Sequence, residues 1–319
     1  MSRKSDKPQP IDLGRVSRSS YLKRVNKTVI GAFGRPMKKL KGADFFESLP
    51  SFLKASELNE FISLVVKARK KDFPFHLLLG AHTIKVGLSP IIIDLMKKGL
   101  VTGLSFNGAG IIHDLELAFF GGTSEDVQAG LLNGSFGMVR ETAELYAGIC
   151  NLAQQNQIGL GEATGSFINK KRAKYRRLSI FGVAQQLNKP VTVHIGVGTD
   201  IVAQHPEYNA ARAASASHFD FRLLCAICER INRGGAVANI GSAVILPEVF
   251  LKALTVARNI SGGKSRLVTA NFDMITHYRP MENVVRRPTF KTGKGFNFVG
   301  HHEIMVPLLA WGLKLKFRS

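Results

Sequence analysis

Apolar and polar positions follow two rhythms along this chain, and the changes between them predict most of its elements. Residues 45–71 carry apolar side chains at helical spacing around Leu53, Leu58, Phe61 and Val65, which predicts a helix. Phe75–Leu79 is a short apolar run closed by Gly80 and reads as a buried strand. A helix is expected over 89–98, with Pro90 in its first turn, where a missing N–H costs nothing. Residues 101–106 predict a second strand, and a helical stretch runs on through Phe120. Helices are expected over 141–154 and 178–187, then a β-rich strand over 190–195. The rest of the chain predicts a helix over 219–231, a strand at Ala236–Ile240, a helix over 247–257, a strand over 266–269 and a last helix over 306–315.

Short apolar strands alternating with helices imply βαβ units, and so a Rossmann-like α/β fold with a parallel sheet covered on both faces. Such sheets bind ligands outside the carboxyl ends of their strands. The glycine-rich and polar clusters fall at those ends: Gly80-Ala81-His82, residues 107–114, residues 196–200, Gly241-Ser242, and residues 269–273. These five loops are read as one site. The rhythm runs without a break from about residue 73, which favours a single α/β domain over 43–319 behind a polar tail over 1–42 with Pro8, Pro10 and Pro36.

Composition narrows the class. With 319 residues, 45% of them hydrophobic, the chain can bury a large core without disulfides. No apolar run is long enough for a membrane span, and the basic N-terminus has no apolar signal segment, so a cytoplasmic location is expected, with an organelle matrix as the alternative. The three cysteines, Cys150, Cys225 and Cys228, are too few for a disulfide framework; Cys225 and Cys228 have CxxC spacing within a helical pattern and no second ligand pair. The formal charge of +21 is concentrated in residues 1–48 and in 170–177, where six of eight residues are basic. Runs of this kind neutralise phosphates, so nucleic acid is a candidate partner, and a non-catalytic, RNA-associated scaffold is one open reading.

Several constellations could carry chemistry. Asn107, Gly108 and Gly110 follow a strand and open a helix, a setting where backbone N–H groups receive phosphate, although the third glycine of the dinucleotide fingerprint is absent. His113, Asp114 and Glu116 sit at that helix start, and a carboxylate beside an imidazole suits acid–base work. Asp114 could equally be a helix cap. Thr199 and Asp200 follow a glycine pair at a strand end, where an acid can hold ribose hydroxyls or an amine. Asp273 and His277 are four apart, and His301-His302-Glu303 precedes the last helix. With His82 and His194, these histidines permit a metal-dependent hydrolase or isomerase, but no HExxH or Cys/His ligand spacing appears. His76 and His218 read as structural.

The order and wording of these loops resemble the deoxyhypusine synthase family over roughly residues 75–290. Residues 81–87, Ala-His-Thr-Ile-Lys-Val-Gly, look like the family's Ser-Asn-Leu-Ile-Ser-Ser-Gly, and residues 107–114 look like its Thr-Ala-Gly-Gly-Val-Glu-Glu-Asp. Thr199-Asp200 looks like its Thr-Asp, residues 241–246 like its Gly-Gly-Gly-Val-Val-Lys, and Thr269-Ala270 with Asp273 like its Thr-Ala and following Asp. The resemblance implies an NAD-binding fold, a homotetramer with shared sites, and transfer of an aminobutyl group from a polyamine through an imine on an enzyme lysine. It implies that His82, Asn107, Gly108, Gly110, Thr199, Asp200, Gly241, Ser242, Thr269 and Ala270 line NAD, with His113, Asp114, Asp273 and His277 facing the substrate. The imine lysine falls at Leu246, which cannot form an imine, so the covalent step is lost; Lys85 is a candidate replacement or a phosphate contact. The expectation is an NAD(H)-linked transferase or oxidoreductase acting on a small amine or polar substrate, other than deoxyhypusine synthesis itself.

Overall fold

The computed structural model describes residues 42–262 and 266–318; the tail over 1–41, and with it most of the first basic run, lies outside the described residues. The chain enters through helices Gly42–Ser48 (α1) and Leu53–Lys70 (α2). Strand Phe75–Leu79 (β1) leads into helices His82–Lys85 (α3) and Ser89–Lys97 (α4), and strand Gly103–Asn107 (β2) into Gly108–Phe120 (α5). Four helices intervene before the next strand: Val127–Asn133 (α6), Arg140–Asn156 (α7), Leu160–Lys170 (α8) and Ile180–Gln186 (α9). Strand Val191–His194 (β3) precedes the long helix Ala210–Asn232 (α10), Ala236–Ile240 (β4) precedes Ile245–Ser261 (α11), and Val268–Asp273 (β5) precedes Tyr278–Pro280 (α12). A π-helical turn, Met281–Arg286, leads to Lys294–Val299 (β6) and the last helix, His302–Arg318 (α13).

All six strands are parallel, in the order β3-β2-β1-β4-β5-β6. The chain therefore winds outward from β1 in one direction, returns, and winds outward in the other. The switch falls between β1 and β4. Helix α4 packs into the core on one face of the sheet and α11 into the core on the other, so the chain leaves these two neighbouring strands toward opposite sides. That divergence is the geometric origin of the ligand crevice in doubly wound folds.

The two faces of the sheet differ in chemistry. One is apolar throughout: Phe75, Leu77, Ile240, Phe272 and Phe298 lie on the side that α2 and α13 cover, Phe106 and Val193 continue the same core toward α8 and α9, and the Phe61 ring lies among Phe75, Phe272, Phe296 and Phe298. The other face is buried but polar along two rows. His76 Nε2 meets Ser105 Oγ at 2.8 Å, Ser105 meets Thr192 Oγ1 at 2.6 Å, and Thr192 meets His194 Nε2 at 3.0 Å, crossing three strands. Across the other half, Asn239 donates to Asn271 and Asn271 to Asn297, each at 2.8 Å. Helices α10 and α11 cover this face through a smaller core around Leu224, Cys228, Phe250 and Leu254.

Two expectations need correcting. Strand β5 runs to Asp273, not Thr269, because the Asn239–Asn271–Asn297 ladder carries the pairing onward; Thr269 and Ala270 are thereby buried in mid-strand. His218 is exposed on α10 against the Phe221 ring, so it is no core histidine. Cys225 and Cys228 are free thiols on the α10 face that packs on α11, and burial pushes both above the ordinary thiol range. Among the described residues no helix is long and apolar enough to cross a membrane.

Candidate functional site

The loops at the carboxyl ends of the strands form two clusters where one site was expected. The first is a cavity of about 490 Å³ above β2 and β3, walled by α5, the segment from Phe120 to Val139 and the loop before Ile201. His113, Thr199 and Asp200 line it, together with Lys85, Glu116, Glu125, Thr123 and Thr142, and its apolar wall includes Ile112, Phe120, Val127, Phe136, Val139 and Ile201.

Helix α5 builds the reactive part of this cavity. It starts directly after β2, so His113 and Glu116, one turn apart, both face the same side. Thr123 donates its hydroxyl hydrogen to Glu116 Oε2 at 2.5 Å, and Thr142 donates to Glu116 Oε1 at 3.0 Å. His113 Nδ1 lies 2.7 Å from the same Thr123 oxygen. The Thr123 hydrogen is committed to Glu116, so His113 must donate from Nδ1, which leaves its Nε2 with a free lone pair. Burial and then the nearby Lys85 charge hold His113 down to about 4, so the imidazole is neutral near pH 7. A neutral, oriented imidazole with an open nitrogen can accept a proton.

Asp200 sits at the mouth of α5. A Cβ on Gly108 would lie 1.9 Å from Asp200 Oδ2, so Gly108 is needed for this carboxylate to reach the helix start. Burial pushes Asp200 up to about 6, while the Ala109 amide pulls the other way. Gly110 is required for a different contact: a Cβ there would meet the Phe106 ring at 2.7 Å. Asn107 borders the helix with a buried, unpaired Oδ1, and Thr199 turns its hydroxyl to the Gly196 carbonyl. Asp114 is not placed to face a substrate. It is fully buried and accepts from Ser179 Oγ at 2.5 Å and from the Ile180 N–H at 2.8 Å, so it caps α9.

The second cluster lies over the β1/β4 switch. Asp273, at the end of β5, has Oδ1 3.8 Å from His302 Nε2 and Oδ2 3.9 Å from His277 Nε2. His82 meets the His302 ring edge-on, with centroids 5.4 Å apart. Gly241 lies beneath His302, and Ser242 turns inward, its hydroxyl accepting from the Leu246 N–H at 3.3 Å. Asp273 and His277 thus share a cluster with His82, and neither lines the cavity that holds His113. Among the described residues no three His, Cys, Asp or Glu side chains are placed to hold a metal ion.

Two parts of the site were not legible as such. Thr123 and Thr142 orient the His113–Glu116 pair, yet each lies on a different segment and neither belongs to a motif. The burial of His302 was also missed, because His301-His302 reads as a polar start to a helix; His301 is exposed and His302 is 1% exposed.

No family model matches the sequence, and no curated protein matches it. Solved structures do. A candidate deoxyhypusine synthase from Entamoeba histolytica superposes with a TM-score of 0.52 at 12% identity, covering 88% of this chain and 96% of that one. AgrE, in a ternary complex with ornithine and NAD+, gives 0.54 at 11% identity over 82% of this chain and 33% of its own. A conserved candidate LOR/SDH protein from Methanococcus maripaludis S2 gives 0.50 at 12%, over 89% and 73%. The chain shares their fold. It spans about a third of AgrE's length, and identities this low carry the likeness no further than the parallel α/β architecture.

The resemblance and the AgrE complex both raise the question of a dinucleotide, and the glycines test it. In a dinucleotide site one glycine lets the backbone approach the pyrophosphate and another lets helix and strand pack closely. Here a Cβ on Gly80 would meet the Gly241 carbonyl, on Gly241 the His302 ring, on Gly108 the Asp200 carboxylate and on Gly110 the Phe106 ring, so each of these glycines serves the packing of the chain on itself. Asn107 Oδ1, at the end of β2, and Thr269 Oγ1, within β5, are buried without a partner.

Proposed function

We propose that this chain is an enzyme that carries out acid–base or group-transfer chemistry on a small amine held in the cavity above β2 and β3. The observation that carries the reading is the His113–Thr123–Glu116–Thr142 chain, which fixes a neutral imidazole with its Nε2 open. The charge of the cavity supports the substrate class. Glu116, Glu125 and Asp200 line it against one lysine, Lys85, which favours a cationic ligand, and the apolar wall suits an alkyl chain. In this reading Asp200 holds the ammonium group, His113 accepts a proton from the substrate, and Glu116 keeps His113 in the required tautomer. Lys85 stands in the same cavity, where its charge helps to keep His113 neutral. No step runs through NAD, for which the AgrE complex is a precedent on this fold.

Association of copies, a tetramer by resemblance, is part of the proposal. Leu131, Leu132 and Val197 are exposed on the segments that wall the cavity, and in this reading a second copy covers them. The reading is tested by incubating the full chain with mono-, di- and polyamines and following each by mass spectrometry. At least one amine should be consumed, and His113→Ala should slow its consumption by about 100-fold or more. Amines left untouched and unbound by the wild-type chain would refute it.

The alternative, a phosphate-binding scaffold, draws on one observation: Lys170, Lys171, Arg172, Lys174 and Arg177 are all exposed at and beyond the end of α8. Neutralising that run should abolish any salt-dependent RNA binding if it is the interface.

A further inference from the structure

The amino ends of the strands carry a cavity of their own. Where the chain enters β1, β2 and β3, a space of about 320 Å³ is lined by Arg69, Asp72, His76, Thr102, Lys189 and Arg230. All the strands are parallel, so this cavity lies at the opposite edge of the sheet from the one that holds His113. Three of its side chains are cations and one is a carboxylate. Asp72 Oδ1 lies 3.6 Å from the Arg69 guanidinium and is itself 89% exposed. Arg69 is fixed in place: its Nε donates to the Gly99 carbonyl at 3.0 Å and a terminal nitrogen to the Phe73 carbonyl at 2.5 Å. Burial and the nearby Arg230 charge lower Arg69, against the pull of Asp72. Basic side chains near helix ends commonly bond the last carbonyls. Among the described residues, Lys189 and Arg230 bond no carbonyl and pair with no carboxylate. Like charges gathered around one space repel unless an anion lies between them.

His76 is a second, independent observation. Its ring lines the cavity and is 1% exposed, yet Nδ1 has no hydrogen-bond partner, while Nε2 meets Ser105 Oγ at 2.8 Å. A buried polar atom left without a partner is costly. A ligand oxygen in the cavity would accept from Nδ1–H. The polar row behind it then runs in one direction: Ser105 donates to His76 Nε2, Thr192 to Ser105, and His194 to Thr192.

We propose that this cavity binds the phosphate group of a small anion through Arg69, Lys189 and Arg230. Guanidinium and ammonium groups are the usual partners of phosphate, and three cations against one carboxylate suit a dianion better than a single carboxylate ligand. The volume also admits a small organic body beyond the phosphate. The inference does not rest on the amine reading, since the two cavities share no residue.

The test is a calorimetric titration of inorganic phosphate and of glycerol 3-phosphate into the full-length chain. The same titrations are run on Lys189→Ala/Arg230→Ala, on each single variant, and on a control, Lys170→Ala/Lys171→Ala/Arg172→Ala, with thermal unfolding of each to verify the fold. The wild-type chain should bind at least one of the two ligands saturably, with a dissociation constant below about 1 mM. The double variant should bind at least about tenfold more weakly, each single variant should bind more weakly than the wild type, and the control should match the wild type. Tighter binding of glycerol 3-phosphate would assign the site to a phosphate ester, and equal binding to the phosphate group alone. No saturable binding of either ligand would overturn the proposal. So would binding that survives loss of Lys189 and Arg230, or binding lost in the control, since the general positive charge of the chain would then be its source.

Discussion

Buried ionisable side chains in this protein pull its pH response in opposite directions, and each can be read separately. His76 and His194 stand at the two ends of the polar row across β1, β2 and β3, and burial lowers them to about 3 and about 4. In the unfolded chain they titrate near 6.5, so the unfolded state binds more protons between 6.5 and about 4. Their contribution is therefore present above pH 6.5 and lost as pH falls through that window. Asp114, Asp200 and Asp220 act oppositely, because burial raises them to about 6, 6 and 7; what they contribute in protonated form is lost as pH rises. The informative quantity is thus a difference. His76→Gln keeps a polar partner for Ser105 but cannot titrate, and its urea-unfolding free energy should fall less steeply than that of the wild type between pH 6.5 and 4.5. Equal slopes would contradict a neutral buried His76. At Asp114 the effect is structural: Asp114→Ala removes the acceptor for Ser179 and the first N–H of α9. It should cost about 3 kcal/mol in denaturant unfolding. Its histidine neighbour, one position earlier, belongs to the cavity. Sequence reasoning placed both at the site because adjacency in a helix start does not reveal that their side chains leave the axis about 100° apart.

Elements were legible where the periodicity was clean. Strands β1 to β4 and helices α4, α5, α7 and α11 lie where apolar runs and helical spacing put them. The signal failed where side chains served another purpose. Strand β6, Lys-Gly-Phe-Asn-Phe-Val, exposes Lys294 and carries a glycine and an asparagine, so no apolar run marks it. Helix α8 opens Leu-Gly-Glu-Ala-Thr-Gly, a composition that reads as a loop, yet the glycines are what dock it. A Cβ on Gly161 would lie 1.9 Å from the Val191 carbonyl oxygen, and one on Gly165 2.5 Å from that of Phe181. Asp220 locks the same junction from α10, accepting from the N–H groups of Gly161 at 2.9 Å and Val193 at 2.8 Å. Gly161→Ala should therefore push α8 off β3 and cost ~2–3 kcal/mol, with a lowered melting temperature. Gly122→Ala serves as the control for close approach: like Gly161 it has no positive φ, but a Cβ there meets nothing within 4 Å, so its cost should be small.

At the scale of the whole molecule, the strand order separates the chemistry. Loops from β2 and β3 carry the cavity, while loops from β4, β5 and β6 meet the β1 loop over the crevice, and the short helix α3 joins the two by placing His82 at one end and Lys85 at the other. Reading five loops as one site followed from a correct architecture; what the sequence could not express is that the loops divide into two clusters, Asp200 lining the cavity and His302 standing beside Asp273. The proposed function turns on Asp200 holding an amine in the cavity. The most direct measurement is a calorimetric titration of 1,4-diaminobutane into the full-length chain at pH 7.5 and at pH 5, with Asp200→Asn alongside. Because Asp200 titrates near 6, saturable binding at pH 7.5 should weaken by about tenfold at pH 5, and Asp200→Asn should bind weakly at both. No binding at pH 7.5, or binding indifferent to both pH and Asp200→Asn, would contradict the claim.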